Sequence, residues 1–392
     1  MTDDFSEILK RGTVHCVVRE NLKKKLASGK KLKIKFGIDP TGSELHLGHV
    51  VLLRKLAKFQ KLGHDVFLIF GTFTGKIGDP TGKDKLRQQL SDQEIAKNME
   101  KYLDQAGKFL DIQKAIILKN GDWLGKLNFS EVLNLAGTFS VGQMLARDMF
   151  QRRVSKNTEI NLVEFFYPLM QGYDSVYIQA DLEVGGTDQL FNLLAGRQIQ
   201  EKVGQVPQDI LTVPILEGLD GREKMSKSLD NFIGISEIPV EIFGKIMSIN
   251  DELMQKYFEL LTDFSIHKIA EILDTHPRDA KLILAEEICR QIHGSSEAEK
   301  VRKNWKTLFQ KKEIPDDLPC FTFKAGENKI LEIIITTSFL FSFSEIRRFC
   351  QNGAVKVDGE KILDPNQKIE ISGEPKILQV GKKKFAKIIA KE

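Results

Sequence analysis

Two histidines and the glycine between them are the first residues whose types and spacing point to chemistry. His46 and His49 lie three positions apart, which places both imidazoles on one face of a helix. Gly48 has no side chain, so a flat ring can approach the backbone there. The helix starts just after a turn, and its free N–H groups attract anions. The pattern predicts a site for a phosphate group and a planar ring.

Two lysines form a second motif, KMSKS, in which Lys224 and Lys227 precede Ser228. A mobile loop of this kind can close on a triphosphate, and its ammonium groups then meet the charge that develops as the α-phosphate is attacked. Either motif alone is compatible with a simpler interpretation, namely helix-capping histidines or a solvated basic turn. Both motifs in this order predict an ATP site, and the sequence has no Walker A motif.

Strand and helix patterns alternate around these motifs. Apolar runs predict strands over residues 32–38 and 66–70, and a helical period predicts a helix from 46 to 63 between them. A capping box at Ser91 predicts a further helix, followed by a strand over 115–118. Such units predict an α/β fold, a doubly wound parallel-sheet (Rossmann-like) catalytic domain over residues 1–230. Ligands of this fold bind beyond the carboxyl ends of the strands, where the strand order reverses.

Two further domains are predicted after the α/β domain. Strand patterns are almost lost beyond Pro239 while helical periodicity recurs, which predicts an α-helical domain over residues 231–318. An Asp-Gly pair at 358–359 predicts a hairpin turn in a small α+β module over residues 326–392. From Lys376 onward this module has six lysines and a single glutamate, a pattern typical of a solvated surface or of binding to a phosphate backbone.

Composition excludes several other classes of protein. The chain has 392 residues, of which 41% are hydrophobic and 29% charged, as in globular proteins with substantial cores. Its first residues lack a signal-peptide pattern, so we expect a cytoplasmic protein. The most apolar run, 330–343, contains Glu332 and is shorter than the roughly 20 residues that span a bilayer. The four cysteines lack the spacing of a disulfide framework or zinc site.

Four more segments match, in order, motifs of one enzyme family: residues 37–41 (GIDPT), 78–82 (GDPTG), 167–174 (YPLMQGYD) and 185–189 (GGTDQ). On these residues the chain resembles the class I aminoacyl-tRNA synthetases, and among them the bacterial tyrosyl-tRNA synthetases that carry KMSKS. The resemblance covers nearly the whole length. It implies that the tyrosine carboxylate attacks the α-phosphorus of ATP, pyrophosphate leaves, and the 3′-terminal ribose of tRNA(Tyr) then takes the tyrosyl group.

The resemblance also implies roles for individual residues. The catalytic group comprises Thr41, His46, His49, Lys224, Lys227 and Ser228. The ATP-binding group comprises Asp39, Gly48, Gly185, Gly186, Asp188 and Lys227. The tyrosine-binding group comprises Asp79, Tyr167 and Gln171 for the α-ammonium, with Thr74 nearby, and Asp174 for the phenol. Helical spacings of four and three place Tyr167, Gln171 and Asp174 on one helix face. A buried carboxylate at Asp174 would be unsatisfied without a phenol, so phenylalanine should be rejected.

The C-terminal module resembles an RNA-binding fold shared with a small-subunit ribosomal protein. Its RNA-binding group comprises Arg347, Arg348, Lys382, Lys383 and Lys384, whose charges suit a phosphate backbone. The resemblance further implies that the helical domain meets the anticodon end of tRNA and that the protein is a homodimer without a membrane partner. We expect Mg²⁺ to accompany the ATP phosphates, and we expect no metal held tightly by protein ligands.

At two positions the chain departs from the family pattern, so the substrate contacts made at these positions in other members are not assigned. Lys35 and Phe36 stand where many members have Tyr-Cys, with the tyrosine touching the substrate phenol, and Glu183 stands where glutamine is common. Neither family contact is carried over. Two alternatives also stay open: a tryptophanyl-tRNA synthetase, and an RNA-binding or regulatory relative with an idle catalytic site.

Overall fold

The computed structural model describes residues 7–81, 90–307, 318–337, 342–381 and 384–391. The chain divides into two compact units, Met1–Glu299 and Lys300–Glu392. Two of the predicted RNA-binding lysines, Lys382 and Lys383, lie outside the described residues, as does Gly82 of the GDPTG segment.

A six-stranded sheet organises the first unit. Its strands are β1 (His15–Val17), β2 (Lys33–Ile38), β3 (Asp65–Phe70), β4 (Ile116–Lys119), β5 (Leu182–Gly186) and β6 (Asp209–Val213). The spatial order is β1-β6-β5-β2-β3-β4, and all neighbours pair in parallel except β1, which runs antiparallel to β6 at the edge. Strand order reverses between β2 and β5, so the predicted crevice lies beyond the carboxyl ends of these two strands.

Helices connect and cover these strands. They are α1 (Arg19–Ala27), α2 (Leu47–Lys61), α3 (Thr74–Ile77), α4 (Asp92–Ala106), α5 (Gly121–Leu124), α6 (Phe129–Ala136), α7 (Val141–Leu145), α8 (Asp148–Ser155), α9 (Leu162–Ile178) and α10 (Leu190–Lys202). Apolar residues at helical spacing explain α2, because Val50, Leu53 and Leu56 are all buried. The chain leaves α2 through Gly63 at φ 89°, a conformation that favours glycine.

The predicted helical region also forms helices. They are α11 (Pro239–Ile246), α12 (Met254–Leu261), α13 (Ile266–Leu273), α14 (Pro277–His293) and α15 (Ser295–Lys306). Apart from the C-terminal part of α15, they belong to the first of the two units. The boundary between the predicted domains at 230 and 231 stays a prediction. None of the helices among the described residues is both long and apolar enough to cross a membrane.

The second unit is a small α+β structure. Its elements are β7 (Cys320–Phe323), β8 (Gly326–Lys329), α16 (Ile330–Thr336), α17 (Phe343–Gln351), β9 (Val355–Val357), β10 (Glu360–Ile362), β11 (Lys368–Ile371), β12 (Lys376–Val380) and β13 (Lys384–Ala390). One sheet has the order β10-β9-β12-β13-β7, and β11 pairs with β8 in a second sheet. The apolar run from Ile330 forms a helix of this core, in which Ile330, Ile333 and Ile334 are fully buried.

Three features of the second unit add to the sequence prediction. Asp358 and Gly359 have φ 50° and 87° and join β9 to β10, the predicted hairpin turn. Cys320 pairs with Lys387, so the sheet includes residues ahead of 326, where the prediction began this module. Three lysines of the lysine-rich end, Lys376, Lys384 and Lys387, lie in β12 and β13, which are inner strands with Leu378 and Ile388 buried.

Candidate active site

One cleft of about 530 Å³ opens beyond the carboxyl ends of β2 and β5 in the first unit. Its walls contain every residue that the sequence predicted for the catalytic, ATP-binding and tyrosine-binding groups: Asp39, Thr41, His46, Gly48, His49, Thr74, Asp79, Tyr167, Gln171, Asp174, Gly185, Gly186, Asp188, Lys224, Lys227 and Ser228. The fold therefore brings together motifs that are almost 190 residues apart in the chain.

The two histidines begin helix α2 and cap it. The Nδ1 atom of His46 accepts a hydrogen bond from the Gly48 backbone N–H at 3.2 Å, and Nδ1 of His49 accepts from the His46 N–H at 3.2 Å. Burial lowers the pKa of His46 to about 2 and that of His49 to about 4, so both rings are neutral at physiological pH. A neutral ring whose Nδ1 accepts must carry its proton on Nε2. Each ring therefore offers one N–H donor without adding a charge.

Gly48 leaves room for the His46 ring. A Cβ atom at Gly48 would lie 3.0 Å from that ring, so a side chain there would push the imidazole out of its position. The simpler interpretation, in which the histidines are helix caps, is therefore correct but incomplete. Both rings also line the cleft at the positive end of α2, where they can contact a ligand.

The KMSKS segment lines the cleft beside the start of α2, since a Cβ atom at Gly48 would lie 3.9 Å from the Met225 Cβ atom. The Lys227 Nζ atom lies 2.5 Å from a Glu44 carboxylate oxygen, and Lys224 Nζ lies 3.7 Å from an Asp188 oxygen. Both lysine side chains are partly exposed, so these ion pairs are weak. Asn231 anchors the segment, because it accepts a hydrogen bond from the Ser226 N–H at 2.8 Å. The two lysine charges are therefore available to an anionic ligand.

Tyr167 and Asp79, two of the residues predicted to bind an ammonium group, line the cleft with their oxygens oriented by hydrogen bonds. Tyr167 donates its hydroxyl proton to Asp39 at 2.7 Å, which leaves the phenolic oxygen as an acceptor. Burial, then the charges of Asp39 and Asp79, raise the pKa of Tyr167, so it stays protonated. Asp79 accepts from the Gln189 side chain at 2.7 Å and from the Thr81 N–H at 2.9 Å. This surplus of acceptors favours a cation.

Asp174 lies on the buried face of α9. Its two carboxylate oxygens accept hydrogen bonds from Trp123 Nε1 at 2.9 Å and from Asn120 Nδ2 at 3.3 Å. Burial raises the pKa of Asp174 to about 7, although the charge of Lys35 and these hydrogen bonds oppose the rise. The carboxylate is held in one orientation by two donors and can accept a third hydrogen bond from a ligand.

The glycine pair at the end of β5, Gly185 and Gly186, borders the cleft near Asp188. A Cβ atom at Gly186 would lie 2.5 Å from an Asp188 carboxylate oxygen, so a side chain there would displace that carboxylate. Burial raises the pKa of Asp188, and the charge of Lys224 opposes this. Thr74, the remaining predicted residue, donates to Asp39 at 2.8 Å and accepts from Asn120 at 3.0 Å.

Sequence reasoning missed several residues that orient this site. Asn120 and Trp123 hold Asp174, yet they belong to none of the predicted motifs. Gln189, which holds Asp79, lies in the GGTDQ segment and could have been inferred from it. A Cβ atom at Gly71 would lie within 2.3 Å of both Asp39 and Thr74, so glycine is needed beside them. Only the folded chain shows these neighbours.

The described RNA-binding candidates lie in the second unit, not in the cleft. Arg347 and Arg348 are exposed on α17, and Lys384 begins β13. Hydrogen bonds from Ser342 lower the pKa of Glu345, and the charges of Arg348 and Lys384 lower it further. Arg348 and Lys384 therefore face the same carboxylate, and the fold brings helix and strand cations together.

Comparisons with known proteins identify the family of the chain. Residues 27–310 match the family described as class I tRNA synthetases (W and Y), and residues 310–388 match the tyrosine–tRNA ligase SYY-like C-terminal domain. The tyrosine–tRNA ligase of Moorella thermoacetica is 48% identical over 391 residues, which cover 97% of this chain and 94% of that protein. The ligase of Francisella tularensis is 47% identical and 98% of each chain is covered.

Solved structures show the same fold. A C-terminally truncated mitochondrial tyrosyl-tRNA synthetase of Aspergillus nidulans superposes with a TM-score of 0.64 and 26% sequence identity. The match covers 78% of this chain and 94% of the fungal chain.

Proposed function

The chain belongs to the class I tRNA synthetases of the tryptophan and tyrosine type, and we propose that it joins L-tyrosine to tRNA(Tyr) at the expense of ATP. It is an enzyme, an ATP-using aminoacyl-tRNA ligase. The observation that carries the detailed proposal is the single cleft that all predicted catalytic, ATP-binding and tyrosine-binding residues line.

In the first step, tyrosine and ATP lie in the cleft so that a tyrosine carboxylate oxygen attacks the α-phosphorus. The start of α2 and the Nε2–H groups of His46 and His49 bind phosphate oxygens, and Asp188 with the Gly185-Gly186 backbone binds the ribose. Lys224 and Lys227 meet the charge that develops on the phosphates. The bond from the α-phosphorus to the bridging oxygen breaks, pyrophosphate leaves, and tyrosyl-adenylate remains.

Tyrosine is oriented at both of its ends. Asp79, Tyr167 and Gln171 accept hydrogen bonds from its α-ammonium, and Asp174 accepts one from its phenol. These contacts hold the carboxylate toward the α-phosphorus, and such positioning replaces a costly bimolecular encounter.

In the second step, a hydroxyl of the 3′-terminal ribose of tRNA(Tyr) attacks the tyrosyl carbonyl and adenylate leaves. The helices of the 231–318 region would meet the anticodon end, and the basic surface of the second unit would bind the RNA backbone. The expected location is the cytoplasm, where tRNA is charged for protein synthesis.

Mg²⁺ is proposed to enter with ATP as part of the substrate. The described residues contain no group of three or more histidine, cysteine, aspartate or glutamate side chains that could hold a metal ion. Mg²⁺ commonly keeps several waters and binds through substrate phosphates, which such a site allows. The lysines of KMSKS would share the neutralisation of the phosphates with it.

Pyrophosphate exchange into ATP tests the proposed function directly when it is run with each of the twenty amino acids. Tyrosine alone should support exchange. Exchange with tryptophan in its place would identify the tryptophan-specific alternative, whereas no exchange with any amino acid would favour an idle RNA-binding relative.

The affinity for tyrosine should depend on the ionisation of Asp174. Below its pKa of about 7 the carboxyl is protonated and is a poorer acceptor for the phenol. Binding therefore favours the ionised form, and affinity should rise from pH 5.5 to 7 by up to about tenfold per unit, then level off. Equilibrium dialysis would measure this profile. Asp174→Asn should bind weakly without the rise, and an identical rise in that variant would refute the assignment.

Arg347 and Arg348 should contribute to tRNA binding rather than to tyrosine activation. We expect Arg347→Ala/Arg348→Ala to lower the kcat/KM of aminoacylation most at low salt, where phosphate contacts contribute most, and to reduce the salt slope of tRNA binding by about two, with pyrophosphate exchange unchanged. The charge-matched control Lys361→Ala/Lys368→Ala removes two other exposed cations of the same unit. Equal losses in both double variants would show that net charge, not this helix, matters.

We also propose that the protein is a homodimer through helices α6 to α9. Exposed apolar side chains lie on these helices: Phe129, Leu133, Val141, Val154 and Leu162, each more than half exposed. Leu135, Met144 and Leu169 pack α6, α7 and α9 together, so much of this apolar surface belongs to one region. Apolar exposure on this scale is typical of an interface.

Sedimentation velocity would test the dimer. Leu162→Glu should shift the protein toward a monomer, because it places a charge in the apolar contact. Val206→Glu is the matched control, since Val206 is 76% exposed but lies outside these helices. A wild-type protein that stays monomeric at micromolar concentration would contradict the proposal.

A further inference from the structure

The two departures from the family pattern are partners in the fold. Lys35 on β2 and Glu183 on β5 are both fully buried, and Lys35 Nζ lies 2.8 Å from the Glu183 Oε1 atom. They are 148 residues apart in the sequence, but β2 and β5 pair with Lys35 opposite Glu183. An unpaired buried charge at either position would be strongly destabilising. The presence of lysine at 35 therefore explains why position 183 has a carboxylate, and the reverse is also true.

This ion pair is joined to the helix that carries the tyrosine-binding residues. Lys35 Nζ donates to the Gln171 backbone carbonyl at 2.6 Å and to Ser175 Oγ at 2.8 Å. Glu183 accepts from the Ser175 hydroxyl at 3.1 Å and from Gln208 Nε2. The pair therefore ties α9 to the central strands of the sheet.

One contact of Glu183 has a chemical consequence for the site. The Nε2 atom of Gln171 lies 3.3 Å from Glu183 Oε1, and both Gln171 and Glu183 line the cleft. A carboxylate only accepts hydrogen bonds, so the amide group that faces it must be the NH₂. The amide oxygen of Gln171 is then turned away from Glu183 and is available as an acceptor.

We propose that Glu183, paired with Lys35, is a positioning residue that fixes the Gln171 amide so that its oxygen, not its NH₂ group, faces the α-ammonium of the amino acid. This inference rests on the proposed role of Gln171 in tyrosine binding. A glutamine at 183 could donate to the Gln171 oxygen, and the amide could then turn its NH₂ toward the ammonium, where it cannot accept a hydrogen bond. The carboxylate of Glu183 excludes that flipped arrangement.

Three ligands separate this role from a general loss of structure. L-tyrosine and tyramine carry the ammonium, whereas 3-(4-hydroxyphenyl)propionate lacks it. In Glu183→Gln, the affinity for tyrosine and tyramine should fall about tenfold or more, since hydrogen bonds to charged groups are among the stronger ones. The affinity for the propionate should change less than about twofold, because it makes no ammonium contact. Inhibition of tyrosine-dependent pyrophosphate exchange, or calorimetry, gives the three affinities.

Two further variants serve as controls. Lys35→Met/Glu183→Gln removes both charges and avoids an unpaired buried lysine, so it keeps the test valid if the single variant folds poorly; the same ligand pattern is expected. Glu164→Gln breaks another buried ion pair of α9, that between Glu164 and Arg153, and should leave the ratio of the three affinities at its wild-type value.

The outcomes are distinct. A Glu183→Gln protein that weakens all three ligands equally, or that keeps the wild-type preference for the ammonium ligands, overturns the inference. Recovery of tyrosine affinity in the double variant would also overturn the inference, because the unpaired charge of Lys35 would then be the cause of the weaker binding in Glu183→Gln. If the wild-type enzyme itself shows no preference for the ammonium ligands, the proposed role of Gln171 fails first.

Discussion

Replacing Lys224 or Lys227 with alanine should slow the formation of tyrosyl-adenylate by about a hundredfold, the usual cost of removing one group that binds developing charge in a transition state. The affinity for tyrosine should change less than about twofold, because neither lysine is expected to touch the amino acid. Presteady-state measurement of the first turnover separates the chemical rate from substrate binding.

The structure explains why these lysines are suited to bind the transition state more tightly than the ground state. Their side chains are partly exposed, and they pair with two other residues that line the cleft, Lys227 with Glu44 and Lys224 with Asp188. Such exposed pairs contribute at most about 1 kcal/mol, so a triphosphate can displace the carboxylates at little cost. The lysine charges can then bind more tightly as negative charge grows on the phosphates than in the ground state.

Lys268→Ala is the matched control for the lysine variants. Lys268 on α13 pairs with Glu271 at 3.0 Å and does not line the cleft, so its removal should leave the adenylation rate unchanged. A normal chemical rate in Lys224→Ala and Lys227→Ala, together with a collapse of tyrosine affinity, would refute the transition-state role.

Asp174→Ala should narrow the preference for tyrosine over phenylalanine by at least about tenfold in kcat/KM, because a hydrogen bond to a charged group contributes roughly 1.5–3 kcal/mol. In the wild type we expect the buried carboxylate to gain a hydrogen bond from the tyrosine phenol and none from phenylalanine, in addition to those from Trp123 and Asn120. In the variant that difference disappears. Pyrophosphate exchange with both amino acids gives the ratio.

The variant must be distinguished from a destabilised protein. Removing Asp174 leaves the donors of Trp123 and Asn120 without their acceptor, so a lower melting temperature is expected as well. Asp209→Asn is the control, because Asp209 is an equally buried carboxylate that pairs with Lys25 and lies outside the cleft. Asp209→Asn should lower the melting temperature without changing the ratio of kcat/KM for tyrosine to that for phenylalanine. An unchanged ratio in Asp174→Ala would mean that another group recognises the phenol.

Local sequence patterns determined much of this protein. The period of α2 and the histidines at its start are set by residues within one or two helical turns of each other, so both were predictable. The turn at Asp358 and Gly359 is also local, because it depends on which residues tolerate positive φ. The motifs and their order predicted the family, and with it the residues that line the cleft.

Elements that depend on distant partners were harder to predict. Strand β1 has three residues, of which none is buried, and its antiparallel place beside β6 comes from pairing across almost 200 residues. Strand β7 is predicted by no pattern of its own and is stabilised by β13 at the other end of the unit. Short strands carry too little local information, since their hydrogen bonds are made elsewhere.

The sequence by itself predicted the chemistry of the cleft: an anion site at the start of α2, two lysines on a loop, and carboxylates for an ammonium and a phenol. Only the tertiary structure decided how these groups are oriented. Trp123 and Asn120 set the direction of the Asp174 carboxylate, and the Lys35–Glu183 pair meets Gln171 across the central strands. The physical reason is that hydrogen-bond direction and desolvation depend on neighbours in space, which the order of residues along a chain does not specify.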